Sequence, residues 1–338
     1  MNLSAIRQRC LDVFHANQVP GKPYGCVRPI PNGEPDFYSS ADWAIIRTIW
    51  GEDLRKTLSD AQRKAWVGYL ASQVDPSDGS VPILRGHSKL HANGTAIGAF
   101  GALGGRMPVP VRLYEPFAEP ARVVHWLENS IDWSKIWGES HLFWGGMHCF
   151  ALSSTATPAW REAVFNWLDS HLDPKTGWWC KGIAYNTRND PLGGAVHILP
   201  IYQHLDRPFP FPERLIDSTL EMQYPEGNWM RGDWLVNLGF TYLDLDGLYA
   251  LDVGRKWAPG YRTADIEAAT KRHADLIEPK IDRELDRAFA QHPHIVLSII
   301  GTLGLSQRFH PRQFHDDRQW TDIFSDPALY RVKESEPL

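Results

Sequence analysis

Nearly uncharged apolar segments recur along this chain on a beat of about fifty residues, and that repeat constrains the fold more than any other feature. Asp42 opens DWAIIRTIWG, His91 opens HANGTAIGAFGALGG, His148 lies in GGMHCFALSS, His197 in GGAVHILPIYQHL, Asp246 in DLDGLYAL, and His294 opens HIVLSIIGTLGL. The intervals between these markers are 49, 57, 49, 49 and 48 residues. Between them lie charged stretches near 3–17, 56–74, 115–131, 158–172, 211–224 and 264–290, in which apolar residues return at helical spacing with charges on the other face. No alternating run of the kind that builds a sheet stands out.

A helix that is apolar all round is buried on all sides, whereas an amphipathic one buries a single face. The alternation of the two kinds predicts an all-α fold of the (α/α)6 toroid type. About six helical hairpins would set the uncharged helices in an inner ring and the amphipathic ones outside, with residues 1–338 as one domain. Gly94, Gly98, Ala99 and Gly101 would let inner helices approach closely. The mixed charges of 264–290 predict an exposed outer pair broken at Pro279. The tail, about 310–338, is expected to pack outside the ring.

Composition narrows the function. At 43% hydrophobic and 22% charged the chain is globular. A net charge of -5 with no long basic run argues against nucleic acid as a partner. No run reaches the roughly 20 apolar residues of a membrane span. The N-terminus MNLSAIRQRCLDVFHANQ lacks a signal-peptide pattern, so a cytoplasmic protein is expected. Cys10, Cys26, Cys149 and Cys180 fall at irregular spacings and read as buried free thiols.

In such a ring the inner-helix starts face one end. The loops that feed them, 18–37, 76–90, 132–144, 176–192 and 225–243, are rich in Gly, Pro and Trp and would converge there. Asp42, His91, His148, His197, Asp246 and His294 mark the helix starts, with Asp244 alongside. Of these, Asp42, Asp244, Asp246, His91, His148 and His197 are the catalytic candidates. Capping by Asp and satisfied core histidines are the plain alternative for any one of them. Tyr38, Trp144, Trp178, Trp179, Tyr185, Trp229 and Trp234 are the candidate substrate-binding platforms. Ser39-Ser40 reads as an N-cap, and Gly104-Gly105 and Gly193-Gly194 lack the context of phosphate loops.

The segment Gln223-YPE-Gly227-Asn-Trp229 resembles the QW repeat of terpenoid cyclases, and Asp244-Leu-Asp246-Gly247 resembles the acidic motif of the class II cyclases. That superfamily, shared with the protein prenyltransferases, has an α/α-toroid fold. The resemblance implies an acid at Asp246 or the Asp244/Asp246 pair, and aromatic faces that stabilise carbocations. Gly247 stands where the family's DxDD motif ends in Asp. The six-hairpin plan is also similar to the toroids of glycoside hydrolases, polysaccharide lyases and sugar epimerases.

The leading expectation is a carbohydrate-active enzyme that takes a small-molecule or oligosaccharide substrate. Hydrolysis would draw two carboxylates from Asp42, Asp244, Asp246, Glu139 and Asp190. A lyase or epimerase would remove a proton next to a carbonyl with His or Tyr. A terpenoid-cyclase-like enzyme ranks second, because free imidazoles would quench a carbocation. A non-catalytic toroid that binds a glycan or a partner comes next. A metal centre of His91, His148, His197 and Asp246 has no HxxH or HExxH spacing behind it, so no metal or cofactor is expected. The oligomeric state is not specified.

Overall fold

The computed structural model describes residues 1–185, 190–229 and 242–336. In chain order the helices are α1 (Leu3–Asn17), α2 (Phe37–Ile49), α3 (Leu54–Thr57), α4 (Asp60–Ala71), α5 (Lys89–Leu103), α6 (Pro120–Asn129) and α7 (Ile136–Glu139). A 3-10 turn (Ser140–Leu142) and a π-helical run (Phe143–Met147) lead into α8 (His148–Leu152). Then come α9 (Pro158–His171), α10 (Asp190–His204), α11 (Pro212–Met222), α12 (Tyr242–Trp257), α13 (Thr263–Ile277), α14 (Ile281–Phe289), α15 (Pro293–Phe309) and α16 (Val332–Ser335). Among the described residues the chain is all-helical, with extended pairing limited to the isolated bridges Asn2–His315 and Gln18–Val27. No helix of the described residues is long and apolar enough to cross a membrane.

Local chemistry sets the helix ends. Asp36, rather than Ser39 or Ser40, caps α2 by accepting from the Ser39 amide at 2.7 Å. Ser40 instead donates to the Gly25 carbonyl and accepts from the Trp66 indole. Ser59 and Gln62 form a capping box on α4, Ser88 caps α5, and Thr157 with Pro158 starts α9. Gly104 ends α5 with φ 66°, a left-handed conformation suited to glycine. Pro279 sits in the 3-10 turn that separates α13 from α14.

Packing follows the two kinds of helix. In α5 every residue from His91 to Leu103 is buried, while α14 buries only Ile281, Glu284, Leu285 and Ala288. The apolar helices pack in sequence: α2 on α5, α5 on the π-helical run and through it α8, α8 on α10, α10 on α12, α12 on α15, and α15 on α2. The amphipathic helices pack against them, α4 on α5, α11 on α12, and α13 and α14 on α15. A cluster of buried apolar side chains runs from Leu3 to Val332. Each fully buried Leu, Ile or Phe in it contributes about 1.5–3 kcal/mol before chain entropy is counted.

One close approach matters for the site. A Cβ on Gly145 would lie 1.6 Å from the Leu90 carbonyl oxygen, and one on Gly94 would lie 2.6 Å from the Gly145 Cα. Backbone thus meets backbone between α5 and the π-helical run, and the Asn93 amide donates to the Gly145 carbonyl at 3.1 Å.

The tail departs from the expected outside wrap. Trp320, Phe324, Leu329 and Val332 are buried. The Thr321 amide donates to Ile49 at the end of α2, the His204 ring meets the Phe324 carbonyl at 2.7 Å, and Tyr330 stacks on His204. Gly304 of α15 and Gly101 of α5 leave room for the Thr321 and Ala328 carbonyls. The tail therefore covers the C-terminal halves of the apolar helices. Its Trp, Phe, Leu and Tyr content explains this, since those side chains gain most from leaving water.

Candidate functional site

Residues from the first to the middle turns of α5, α10, α12 and α15 meet around a cavity of about 320 Å³, with His197 at the middle of α10 rather than at its start. The cavity is lined by His87, His91, His141, His197, His294 and Asp246, together with Trp137, Gly138 and Tyr242. Five imidazoles and one carboxyl line this cavity.

Each side chain arrives by a different route. Ser88 caps α5 by accepting from the His91 amide, which sets His91 in the first turn, and His87 precedes the cap. The Gly94–Gly145 contact draws the neighbouring element onto α5. His141, on the 3-10 turn, then stands with its ring centroid 4.8 Å from His91 and 5.0 Å from His87. His87 and His91 are 4.4 Å apart. π-helical insertions of this kind are frequent at functional sites. On α10, Gly193 and Gly194 admit Trp137 and Ile136 against the backbone, so this Gly pair serves packing. His197 follows one turn later and pairs its Nδ1 with Ser140 Oγ at 2.8 Å. The other wall comes from α12, through Tyr242 and Asp246, and from α15, through His294.

Orienting partners hold several rings. Asp42 of α2 lies beneath His294, with its carboxylate oxygens 3.2 and 3.3 Å from Nδ1. Tyr38 pairs its hydroxyl with His91 Nδ1 at 3.2 Å. The Tyr242 hydroxyl donates to the His294 backbone carbonyl. Nδ1 of His294 and of His91 is thereby engaged, which leaves Nε2 as the nitrogen available to a ligand.

Burial sets the protonation states. It pushes His87 down to about 4 and His141 down to about 3, with neighbouring imidazoles adding to the shift. His91 and His197 are held well below the usual histidine range for the same two reasons. Burial raises the Asp246 carboxyl well above the usual carboxylate range, and nearby Asp244 raises it further. Burial thus favours the neutral form of these four rings and the protonated form of Asp246. The cavity therefore offers proton acceptors and a proton donor side by side.

No known protein family matches the chain. No curated protein and no solved structure matches it either. The chemistry of the cavity has to be read from its own residues.

Three of the six catalytic candidates, His91, His197 and Asp246, line the cavity. Asp42 lies behind His294, against its Nδ1. Asp244 turns to the opposite side of α12, where it accepts from the Trp229 amide at 2.8 Å and lies 3.8 Å from His273. Two residues along a helix is a rotation of about 200°, so Asp244 and Asp246 cannot face the same way. His148 is a core residue, packed between Trp144 and Tyr330, with its Nδ1 at 3.1 Å from the Phe143 carbonyl.

The aromatic candidates divide similarly. Tyr38 supports His91. Trp144 is buried beneath the cavity against His148, Phe324 and Tyr330. Trp178 is buried. Trp179 donates its indole to the Leu168 carbonyl and accepts from Tyr185 at its own backbone. It also borders a second cavity of about 220 Å³ with Trp133, Trp167 and His171. Trp229 is fully buried, its indole bonded to the Thr219 carbonyl and its ring against Gly247. Trp234 lies outside the described residues.

The QW-like segment has a structural job here. The Gln223 amide donates to Gly227 and to the Ala269 carbonyl of α13, tying the turn to the next helix. A Cβ at position 247 would collide with the Trp229 ring at 2.3 Å, which accounts for glycine there. His87, His141, Trp137 and Tyr242 escaped sequence reasoning. For His87 a signal existed, since it stands four residues before His91. His141 precedes its marker His148 by seven residues, and nothing in the repeat singles it out.

Proposed function

We propose that this chain is a carbohydrate-active enzyme of the lyase or epimerase type, a six-hairpin α/α toroid that moves a proton at a carbon next to a carbonyl. The observation that carries the reading is the meeting of five imidazoles with one carboxyl around a single cavity. The cyclic packing of α2, α5, α8, α10, α12 and α15 supports the toroid, and the shared core from Leu3 to Val332 supports one domain.

His294 is the best-placed base. Asp42 accepts its Nδ1–H, fixes the tautomer and stabilises the imidazolium that forms when Nε2 takes the substrate proton. Asp42 is a positioning residue. Asp246, protonated, is the acid. In an elimination the electrons of the broken C–H bond form the C=C bond, the C–O bond breaks, and Asp246 delivers its proton to the departing oxygen. In an epimerisation the same acid returns a proton to the opposite face of the carbon. A cavity of about 320 Å³ is at the small end of ligand sites, which run from about 300 to 1,000 Å³. It suits one or two sugar rings, with Trp137 as the flat apolar contact.

Hydrolysis fits less well. It needs two carboxyl groups across the scissile bond, and among the described residues Asp246 is the carboxyl on this cavity wall, with Asp42 and Asp244 engaged elsewhere. The terpenoid-cyclase reading retains one favourable observation, the buried Asp246 carboxyl, whose burial favours its protonated form. The imidazoles around it argue the other way.

The test is a panel of oligo- and polysaccharides, including uronic-acid polymers, assayed for unsaturated products, epimers and new reducing ends. The reading expects unsaturated or epimerised products that vanish in Asp246→Asn and His294→Ala. Reducing ends without unsaturation would move the assignment to hydrolysis. Turnover of polyprenes with none of sugars would move it to cyclisation.

A further inference from the structure

We propose that His87, His91 and His141 form a binding site for a divalent transition-metal ion of the zinc class, with an open coordination position on the cavity. Each of the three offers one ring nitrogen, and these nitrogens lie within 4.8 Å of one another. A tetrahedral ion with bonds of about 2.1 Å holds its nitrogens about 3.4 Å apart. Closing the difference takes a contraction of up to about 1.4 Å, within reach of side-chain rotations.

The surroundings suit a ligating set. Tyr38 engages His91 Nδ1 at 3.2 Å, the outer-shell contact that fixes a ligating imidazole and leaves Nε2 for the ion. His87 Nδ1 is buried and lacks a partner in good hydrogen-bonding geometry, the ring's polar contacts being the nearby backbone of Leu84 and Arg85, so a metal bond would replace weak contacts. The backbone of this corner is firm. His91 sits in the first turn of a capped helix, and the Gly94–Gly145 approach fixes where the His141 element stands against it. Three imidazoles without thiolate or carboxylate select a borderline ion over magnesium, calcium or copper(I). Three protein ligands leave a fourth position open, as catalytic zinc sites do. The same cavity carries Asp246 and His294, and there a bound ion with that position open would polarise a substrate carbonyl oxygen. The site is defined by coordination alone and goes beyond the proton-transfer reading.

Cobalt(II) is the probe. The full chain is stripped with a chelator and titrated with Co²⁺, with visible absorption and calorimetry as readouts. The expected result is one Co²⁺ per chain, with the d–d bands of a four- or five-coordinate ion, displaced by Zn²⁺. His87→Ala and His141→Gln weaken binding by at least about tenfold, while His125→Ala, on the exposed side of α6, binds as the parent does. Circular dichroism establishes that each variant is folded, and His141→Gln keeps side-chain volume where alanine opens a hole. Failure of the parent chain to bind Co²⁺ stoichiometrically, or full binding in the folded His87→Ala and His141→Gln variants, would overturn the site. Cobalt binding without turnover of any carbohydrate would break the proton-transfer reading and leave the metal site standing.

Discussion

His91 and His148 occupy equivalent places in the repeat, yet one lines the cavity and the other is packed into the core. Around His91 the chain enters a regular, Ser-capped α-helix, and the ring arrives in the first turn facing the cavity. Around His148 the chain passes first through α7, a 3-10 turn and a π-helical run. Those irregular turns carry His141 to the cavity wall and rotate His148 against Trp144 and Tyr330. A repeat thus sets where a helix stands along the chain. Which face its polar residue presents depends on every turn before it, at about 100° per residue.

Breaking the contact that separates the two regions has the largest expected effect. Gly145→Ala drives a Cβ into the Leu90 carbonyl, and the π-helical run must leave α5. The loss is expected to exceed about 4 kcal/mol in denaturant unfolding, or to leave no folded protein. A variant of near-parental stability would show that the two elements do not meet backbone to backbone.

Much of the helical framework is legible in the sequence, although this contrast is not. The charged stretches expected near 3–17, 158–172 and 211–224 became α1, α9 and α11 with shifts of two residues at most, because apolar periodicity and Pro or polar caps mark amphipathic helices strongly. The Pro279 break also fell as expected. What escaped was whatever depended on rotation or on distant packing. Asp244 and Asp246 were indistinguishable in the sequence and face opposite ways. Trp144 and Trp229 looked like platforms beside glycines, but Gly145 and Gly227 make close contacts with the Leu90 and Arg272 backbones, and the distant Gly247 is what admits the Trp229 ring. The tail is mixed and Pro-containing in sequence, yet Trp320 and Phe324 are buried.

Smaller in effect, and confined to the cavity side, is His294→Ala. It is expected to lower kcat on a responsive substrate by about 10²- to 10⁴-fold, with little change in the thermal midpoint. His148→Asn makes the opposite pair of measurements, with kcat close to the parent. Parallel losses of kcat in both variants would erase the distinction between cavity and core histidines.

The core histidine should instead appear in acid stability. Burial pushes His148 down to about 3, with the like charge of His204 adding to the shift and the Phe143 carbonyl opposing it. The unfolded chain takes up a proton below about pH 6.5 while the folded one does not. Stability from this group is therefore complete above pH 6.5 and is lost as pH falls toward 3. The slope is about 1.4 kcal/mol per pH unit, or about 3 kcal/mol by pH 4.5. His273, likewise buried and pushed down to about 3, adds a similar slope. In His148→Asn, urea unfolding followed from pH 7 to 4.5 should lose one such increment of steepness. An unchanged slope would mean that His148 reaches solvent.

The mildest change is Tyr38→Phe, which removes the hydroxyl from His91 Nδ1. About 1 kcal/mol of stability is expected to go, with a several-fold fall in Co²⁺ affinity as the ring loosens. An affinity equal to the parent's would place the Tyr38 contact outside the ligand set.

The most direct test of the central claim is solvent exchange in D2O. The parent chain, His294→Ala and His148→Asn are incubated with uronates and keto sugars, and deuterium at the carbon next to the carbonyl is followed by NMR. The account expects wash-in with the parent and with His148→Asn, and none with His294→Ala. Wash-in that survives His294→Ala but disappears in His148→Asn would contradict it, because the proton would then be handled by a ring that does not face the cavity.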